Sequence, residues 1–122
     1  MRSLSIAALA LTALNLAAPQ QLLAQEGPGP NSGVRAINLA RNTAVKLNGG
    51  LNVYRPAACM FTTDISGGSC LVQTNSDGYL YRFLGGAPGW QQLGLPATTE
   101  TELLISPDGR NVVNLLYNGT PR

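Results

Sequence analysis

The spacing of apolar residues changes at Gly49 and Gly50, and this change restricts the chain to folds that combine a helix with a sheet. Before the two glycines, apolar residues recur every three or four positions, which is the period of an amphipathic helix. These positions are Val34, Ile37, Ala40, Ala44 and Leu47. After the glycines, short runs with a two-residue period alternate with turn sequences such as NSDG and SPDG. The pattern predicts an α+β fold, in which one N-terminal amphipathic helix packs on an antiparallel β-meander of about five to six short strands.

Local signals predict where these elements begin and end. Asn31 or Ser32 can cap the helix start, and Gly49 suits its end. The predicted strand segments are LNVYRP, AACMFTT, CLVQT, YLYRFL, a short WQQL, TELLIS and NVVNLLY. In YLYRFL, the alternation places the aromatic residues on one side and Leu80, Arg82 and Leu84 on the other.

The segment ISPDGRNV is predicted to form the tip of the last hairpin. Pro107, Asp108 and Gly109 suit a three-residue loop built on a type I turn, which pairs Ser106 with Arg110. This register assigns one face to the core and leaves the other outside. The core face carries Leu103, Ile105, Val113, Leu115 and Tyr117, and the outer face carries Glu100, Glu102, Leu104, Val112 and Leu116.

Two parts of the predicted fold are candidates for a contact surface. The outer face with Leu104, Val112 and Leu116 is unusually apolar, so another part of the chain covers it or it binds a partner. Trp90 is the only tryptophan and follows the loop GGAPG. It is expected either to close the edge of the core or to lie at the rim of a binding site.

The first residues have the pattern of a secretory signal peptide. Arg2 precedes an uncharged apolar run over residues 4–18, and small residues follow near Ala24. The run is shorter than the roughly 20 residues of a membrane-spanning helix. We therefore predict a signal peptide over residues 1–24, a disordered leader over 25–33 and a single small α+β domain over 34–122. The product is expected to be periplasmic or extracellular, with no stable membrane insertion after cleavage.

Both cysteines lie in CMFTTDISGGSC, at Cys59 and Cys70. Two cysteines in an exported chain are typical of one disulfide. A loop of this size predicts a stabilisation of about 3 kcal/mol in the chain-entropy model. We expect the disulfide to join the strands of a hairpin, whose tip is a wide loop or contains a bulge because Gly67 and Gly68 lie off its midpoint.

The composition argues against most catalytic chemistry. The chain has no histidine, which is the commonest general base and zinc ligand, so we predict no metal and no cofactor. Eight Lys and Arg residues against six Asp and Glu residues, with no cationic run, argue against nucleic acid as the partner. Glu100 and Glu102 could raise the pKa of one carboxyl group by repulsion and supply an acid.

Two stretches, TETELLISPDGRNVVNLLYNGTPR and YLYRFLGGAPGWQQLGLP, make the chain similar to small secreted bacterial proteins of unassigned function, such as those of cyanobacteria. The resemblance implies export across a bacterial inner membrane. It implies no catalytic or binding residues, because the shared features are strands and turns.

Three functions are therefore open. The first is an exported non-enzymatic domain that binds a protein partner or an envelope component. The second is an enzyme inhibitor or a small-ligand-binding module that uses the GGAPGW loop. The third is a small hydrolase that uses Glu100 or Glu102.

Overall fold

The computed structural model describes residues 29–63 and 67–122. Within them one α-helix, α1 (Ser32–Leu47), precedes a sheet of five strands that pair only antiparallel. The strands are β1 (Arg55–Pro56), β2 (Leu71–Asn75), β3 (Gly78–Gly86), β4 (Thr99–Ile105) and β5 (Val112–Gly119). The predicted α+β class and antiparallel sheet are confirmed. The predicted signal peptide and residues 25–28 of the predicted leader lie outside the described residues.

Strands β2 to β5 follow one another across the sheet in chain order, as expected for a meander. The short β1 pairs with the same strand, β3, but at its far end, where Arg55 lies opposite Gly86. Strand β2 pairs with the beginning of β3, where Asn75 lies opposite Gly78. Strand β3 is long enough to hold both neighbours along one edge.

Helix α1 covers one face of the sheet with small side chains. Ala36, Ala40 and Ala44 are fully buried, and Ile37 is nearly so. They pack in one cluster with aromatic and aliphatic residues of β3 and β4, namely Tyr81, Phe83, Leu103 and Ile105. Burial of each large side chain contributes about 1.5–3 kcal/mol. The predicted apolar face of the helix is confirmed at Ile37, Ala40 and Ala44, whereas Leu47 at its end is 46% exposed.

The start of α1 is held by the last hairpin and by β3. The helix begins at Ser32, two residues before the predicted domain start, and Asn31 makes no side-chain capping bond. The Ser32 hydroxyl instead lies 2.6 Å from the Tyr79 hydroxyl. Arg35 Nε donates to the carbonyl oxygen of Asp108 at 3.0 Å. The helix start is therefore fixed by tertiary contacts rather than by a local cap.

The end of α1 is joined to the edge strand by a pair of amide groups. Asn48 and Asn118 donate to each other's side-chain oxygens at 3.1 Å. Thr101, which is fully buried on β4, donates its hydroxyl to Asn118 Oδ1 at 2.6 Å. The backbone then leaves the helix through Gly49, whose φ of 100° fits its predicted role at the helix end.

Two predicted strands are absent from the described residues. AACMFTT contains a short 3-10 helix (Ala58–Phe61), and WQQL forms a turn. The absence of a strand in AACMFTT has a physical reason in the sheet. The edge of β3 is already filled by β1 and β2, so the only ladder-like bond left for this segment runs from Ala57 N to the carbonyl oxygen of Leu84.

The disulfide between Cys59 and Cys70 is present. It joins the 3-10 helix to the residue before β2, so the prediction of a hairpin bridged by the disulfide is wrong. Cys70 is buried and belongs to the core cluster. A disulfide in a domain of this kind is compatible with export.

The predicted register of the last hairpin is also wrong. Ser106 N donates to the carbonyl oxygen of Asn111, so the loop holds four residues instead of three. Strand β5 then contains two bulges, which leave Val113 and Leu116 as extra residues. Leu103 consequently lies opposite Leu115 instead of Val113.

The bulges also change which residues are buried. Val113 and Leu115 were predicted core residues but are exposed, and Tyr117 is only half-buried. Leu103 and Ile105, the β4 members of the predicted core face, are fully buried. Strand β5 is the outer strand of the sheet, so Leu115 extends beyond the cover that α1 provides. Tyr117 lies opposite Glu102 and therefore on the face turned away from α1.

Candidate functional site

The face of the sheet turned away from α1 carries the candidate site. Tyr81, Phe83 and Leu103 point toward the helix, so alternate residues of β3 and β4 point to the other side. Three cross-strand pairs result on this open face. They are Leu80 with Leu104, Arg82 with Glu102, and Leu84 with Glu100.

At one end of the open face lies a shallow cavity, which we call the leucine depression. Its apolar part is formed by Leu80 and Leu104, which are half-buried, and by Leu116, which is 50% exposed. Its polar rim consists of Gln73, Asn75, Asp77 and Asn114. The cavity measures about 160 Å³. Apolar side chains surrounded by hydrogen-bonding groups are typical of a contact surface between proteins.

The second bulge of β5 brings Leu116 to this cavity. It inserts Leu116 between the pairs of Glu102 with Tyr117 and Leu103 with Leu115. Leu104 and Leu116, predicted to share a face, line the same depression. Val112, the third member of that predicted group, lies opposite the core residue Ile105 and therefore on the α1 side.

Sequence reasoning missed part of this site. The alternation in YLYRFL places Leu80 on the outer side of its strand, but only the pairing of β3 with β4 brings it opposite Leu104. Gln73 and Asn75 enter the site because β2 pairs with the same stretch of β3. The NSDG turn between β2 and β3 was a usable signal, since a short turn places the two strands side by side.

The other end of the open face is occupied by charged groups. The Arg122 guanidinium lies 2.8 Å from Glu100 and 2.9 Å from Glu102. The backbone N–H of Arg122 also donates to Glu100 at 2.7 Å, and its guanidinium lies 3.9 Å from the centre of the Tyr117 ring. The last residues of the chain therefore fold back over β4 and β5.

This arrangement bears on the predicted acid. The hydrogen bonds from Arg122 lower the pKa of Glu100 below its ordinary value, with a smaller opposing effect of burial. A general acid at neutral pH needs a raised pKa. The pKa of Glu100 therefore moves in the direction opposite to the one predicted for an acid.

A second cavity lies at the other edge of the sheet, next to Trp90, and we call it the Trp90 pocket. Trp90 is only 8% exposed, and its indole N–H donates to the carbonyl oxygen of Arg55 at 3.0 Å. The cavity also measures about 160 Å³. Its lining consists of Arg55, Pro56, Ala58, Phe61, Gly89, Trp90, Gln91 and Gln92. Trp90 thus closes the edge of the core and also forms one wall of a pocket.

The described residues contain no group of three or more His, Cys, Asp or Glu side chains that could hold a metal ion. No helix among residues 29–63 and 67–122 is long and apolar enough to cross a membrane. Comparison with known proteins adds nothing to the geometry, because no family model, no curated protein and no solved structure matches this chain significantly.

Proposed function

We propose that this chain is an exported, non-enzymatic domain that binds a protein partner, in the periplasm, at the envelope or outside the cell, through the leucine depression. The observation that carries the proposal is the depression itself. Leu80, Leu104 and Leu116 lie together on the open face, and no described element covers them. An exposed apolar patch with a polar rim is the usual sign of an interaction surface.

The rim favours a protein over lipid as the occupant. Gln73, Asn75 and Asn114 offer amide groups that donate and accept hydrogen bonds, as peptide groups do. The one charged rim residue is Asp77, whose negative charge disfavours the anionic headgroups of a membrane surface. The partner is expected to insert an apolar side chain between the leucines while its polar groups contact the rim.

The open face is a better binding surface than the outer edge of β5. An edge strand can pair with an added strand, which is a common mode of peptide recognition. The two bulges at Val113 and Leu116 interrupt the regular backbone spacing that such pairing needs. Bulges on edge strands are a known protection against this kind of association.

A matched pair of charge substitutions tests the proposal. Leu116→Glu places a charge in the depression, whereas Leu93→Glu places the same charge in a turn, on a residue that is 70% exposed. Both variants are expressed in the organism of origin, and extracts are fractionated by size under native conditions. We expect the native chain and Leu93→Glu to migrate in a larger complex, and Leu116→Glu to migrate alone.

The fold is monitored in the same variants by the fluorescence of Trp90 during urea unfolding. The proposal fails if Leu116→Glu keeps the unfolding midpoint of the native protein and still enters the complex. A loss of the complex with both variants would also count against it, since the effect would then not be specific to the depression.

We propose a second function on the basis of the Trp90 pocket, namely the binding of a small ligand beside the GGAPGW loop. A concave site with Phe61 and Trp90 in its walls and Gln91 and Gln92 at its edge supports this candidate. It is tested by following the indole N–H resonance of Trp90 while small molecules are titrated into the protein.

A further inference from the structure

The Trp90 pocket combines aromatic walls with a positive charge. Phe61 and Trp90 supply two rings, and Arg55 supplies a guanidinium group. Arg55 Nε donates to the carbonyl oxygen of Leu51 at 2.8 Å, which holds the side chain in place. Its two Nη groups make no hydrogen bond to the described residues, so they are available to a ligand.

A second cation, Arg41, contacts one of the two aromatic rings of the pocket. The guanidinium carbon of Arg41 lies 5.0 Å from the centre of the Phe61 ring, and Arg41 Nη1 donates to the carbonyl oxygen of Met60 at 3.0 Å. In the described part of the chain, the only ion pairs are those of Arg122 with Glu100 and Glu102. Arg41 and Arg55 are therefore not neutralised by any described carboxylate, and no Asp or Glu lines the pocket.

We propose that the Trp90 pocket binds a small aromatic carboxylate, with its ring against Phe61 and Trp90 and its carboxylate on Arg55. This inference rests on the second proposed function and names the chemistry of its ligand. A guanidinium group and a carboxylate form a charge-assisted pair, and the planar guanidinium can hold both carboxylate oxygens at once. The volume of about 160 Å³ limits the ligand to a single ring, because sites for drug-sized molecules measure about 300 Å³ or more.

Three probes separate the parts of this inference. Phenylacetate has the ring and the charge, phenylacetamide has the ring without the charge, and acetate has the charge without the ring. The indole N–H of Trp90 gives one resonance in a nitrogen–proton spectrum, because the chain has a single tryptophan. We expect phenylacetate to shift this resonance with half-saturation at about 1–10 mM, as ligand efficiency predicts for a molecule of this size. The other two probes are expected to bind at least about tenfold more weakly.

Two variants locate the effect. Arg55→Gln is expected to raise the half-saturation of phenylacetate about tenfold, because it removes one charge-assisted pair. Arg82→Gln removes an exposed cation from the open face and is expected to leave the titration unchanged.

The failures are distinguishable. Equal binding of phenylacetate and phenylacetamide would overturn the assignment of a carboxylate and leave the ligand pocket standing. Equal binding of phenylacetate and acetate would overturn the role of the aromatic walls. If none of the three probes shifts the Trp90 resonance, both this inference and the second proposed function are overturned for ligands of this size.

Discussion

The contact between Asn48 and Asn118 predicts a large effect from one substitution in an edge strand. Asn118→Ala removes both amide–amide hydrogen bonds that join the end of α1 to β5. It also removes the acceptor of the Thr101 hydroxyl, and Thr101 is fully buried. The helix end and the sheet edge then lose their direct polar connection.

The size of the effect follows from the burial of these groups. Each hydrogen bond contributes about 0.5–1.5 kcal/mol net, and a buried hydroxyl left without a partner costs about 1–3 kcal/mol. The two amide bonds are only partly buried, so we take the low end of the hydrogen-bond range for each of them and obtain a total loss of about 2–4 kcal/mol. For a domain of this size the melting temperature should fall by about 8 °C or more.

Urea unfolding followed by Trp90 fluorescence measures this loss, because Trp90 is buried and is the only tryptophan. Asn114→Ala, in the same strand but exposed and without a side-chain hydrogen bond to the described residues, is the control and should change stability by less than about 0.5 kcal/mol. Combining Asn118→Ala with Thr101→Val should cost about 1 kcal/mol less than the sum of the two single changes, since the valine leaves no unpaired hydroxyl. A loss below about 0.5 kcal/mol for Asn118→Ala would refute the reasoning.

Three further predictions concern the core, the hairpin tip and the charged end of the sheet. Gly109 has a φ of 76°, and a Cβ there would lie 2.4 Å from the carbonyl oxygen of Ser32. Gly109→Ala should therefore lower the free energy of unfolding by at least about 2 kcal/mol. The control is Gly94→Ala, which should cost clearly less because its φ is similar, at 70°, but the space around it is open. Equal losses in urea unfolding would contradict this. Tyr81 is fully buried, and its hydroxyl has no hydrogen-bond partner among the described residues. Tyr81→Phe should therefore raise the free energy of unfolding by about 1 kcal/mol, which is measured as a higher urea midpoint. A lower midpoint would show that the hydroxyl does have a hydrogen-bond partner. The native pKa of Glu100 lies below its ordinary value of 4.5, so the stability it contributes is present above that pH and is lost as the pH falls through the native pKa. Glu100→Gln should lower stability at pH 7 and make the loss of stability in acid shallower; an unchanged acid profile in unfolding curves from pH 7 to 2.5 would contradict the role of this carboxylate.

The helix, the strands of the meander and the disulfide pairing could be predicted because each rests on a local pattern. The period of three and four around Ile37 and Ala40 is such a pattern, and so is the alternation in YLYRFL. The 3-10 helix could not be predicted, because it depends on how the edge of β3 is shared between two other strands. No feature of AACMFTT itself shows that this edge is already filled.

The candidate site depended on register, which the turn sequence did not fix. One additional loop residue before Asn111 and two bulges in β5 moved Val112 away from Leu104 and brought Leu116 beside it. A one-residue slip exchanges the two faces of a strand, so a small error at a turn reassigns every side chain that follows. The neutralisation of Glu100 by Arg122 was equally hidden, because their contact spans 22 positions and has no sequence signature.

The central claim, that the leucine depression is the surface bound by a protein partner, is tested most directly by crosslinking within intact cells. A photo-reactive amino acid is placed at Asn114, on the rim of the depression, or at Asn42, which is exposed on α1. We predict a discrete crosslinked protein from position 114, its loss when Leu116→Glu is added, and no such product from position 42. The same product from both positions, or a product from position 114 that persists with Leu116→Glu, would contradict the account.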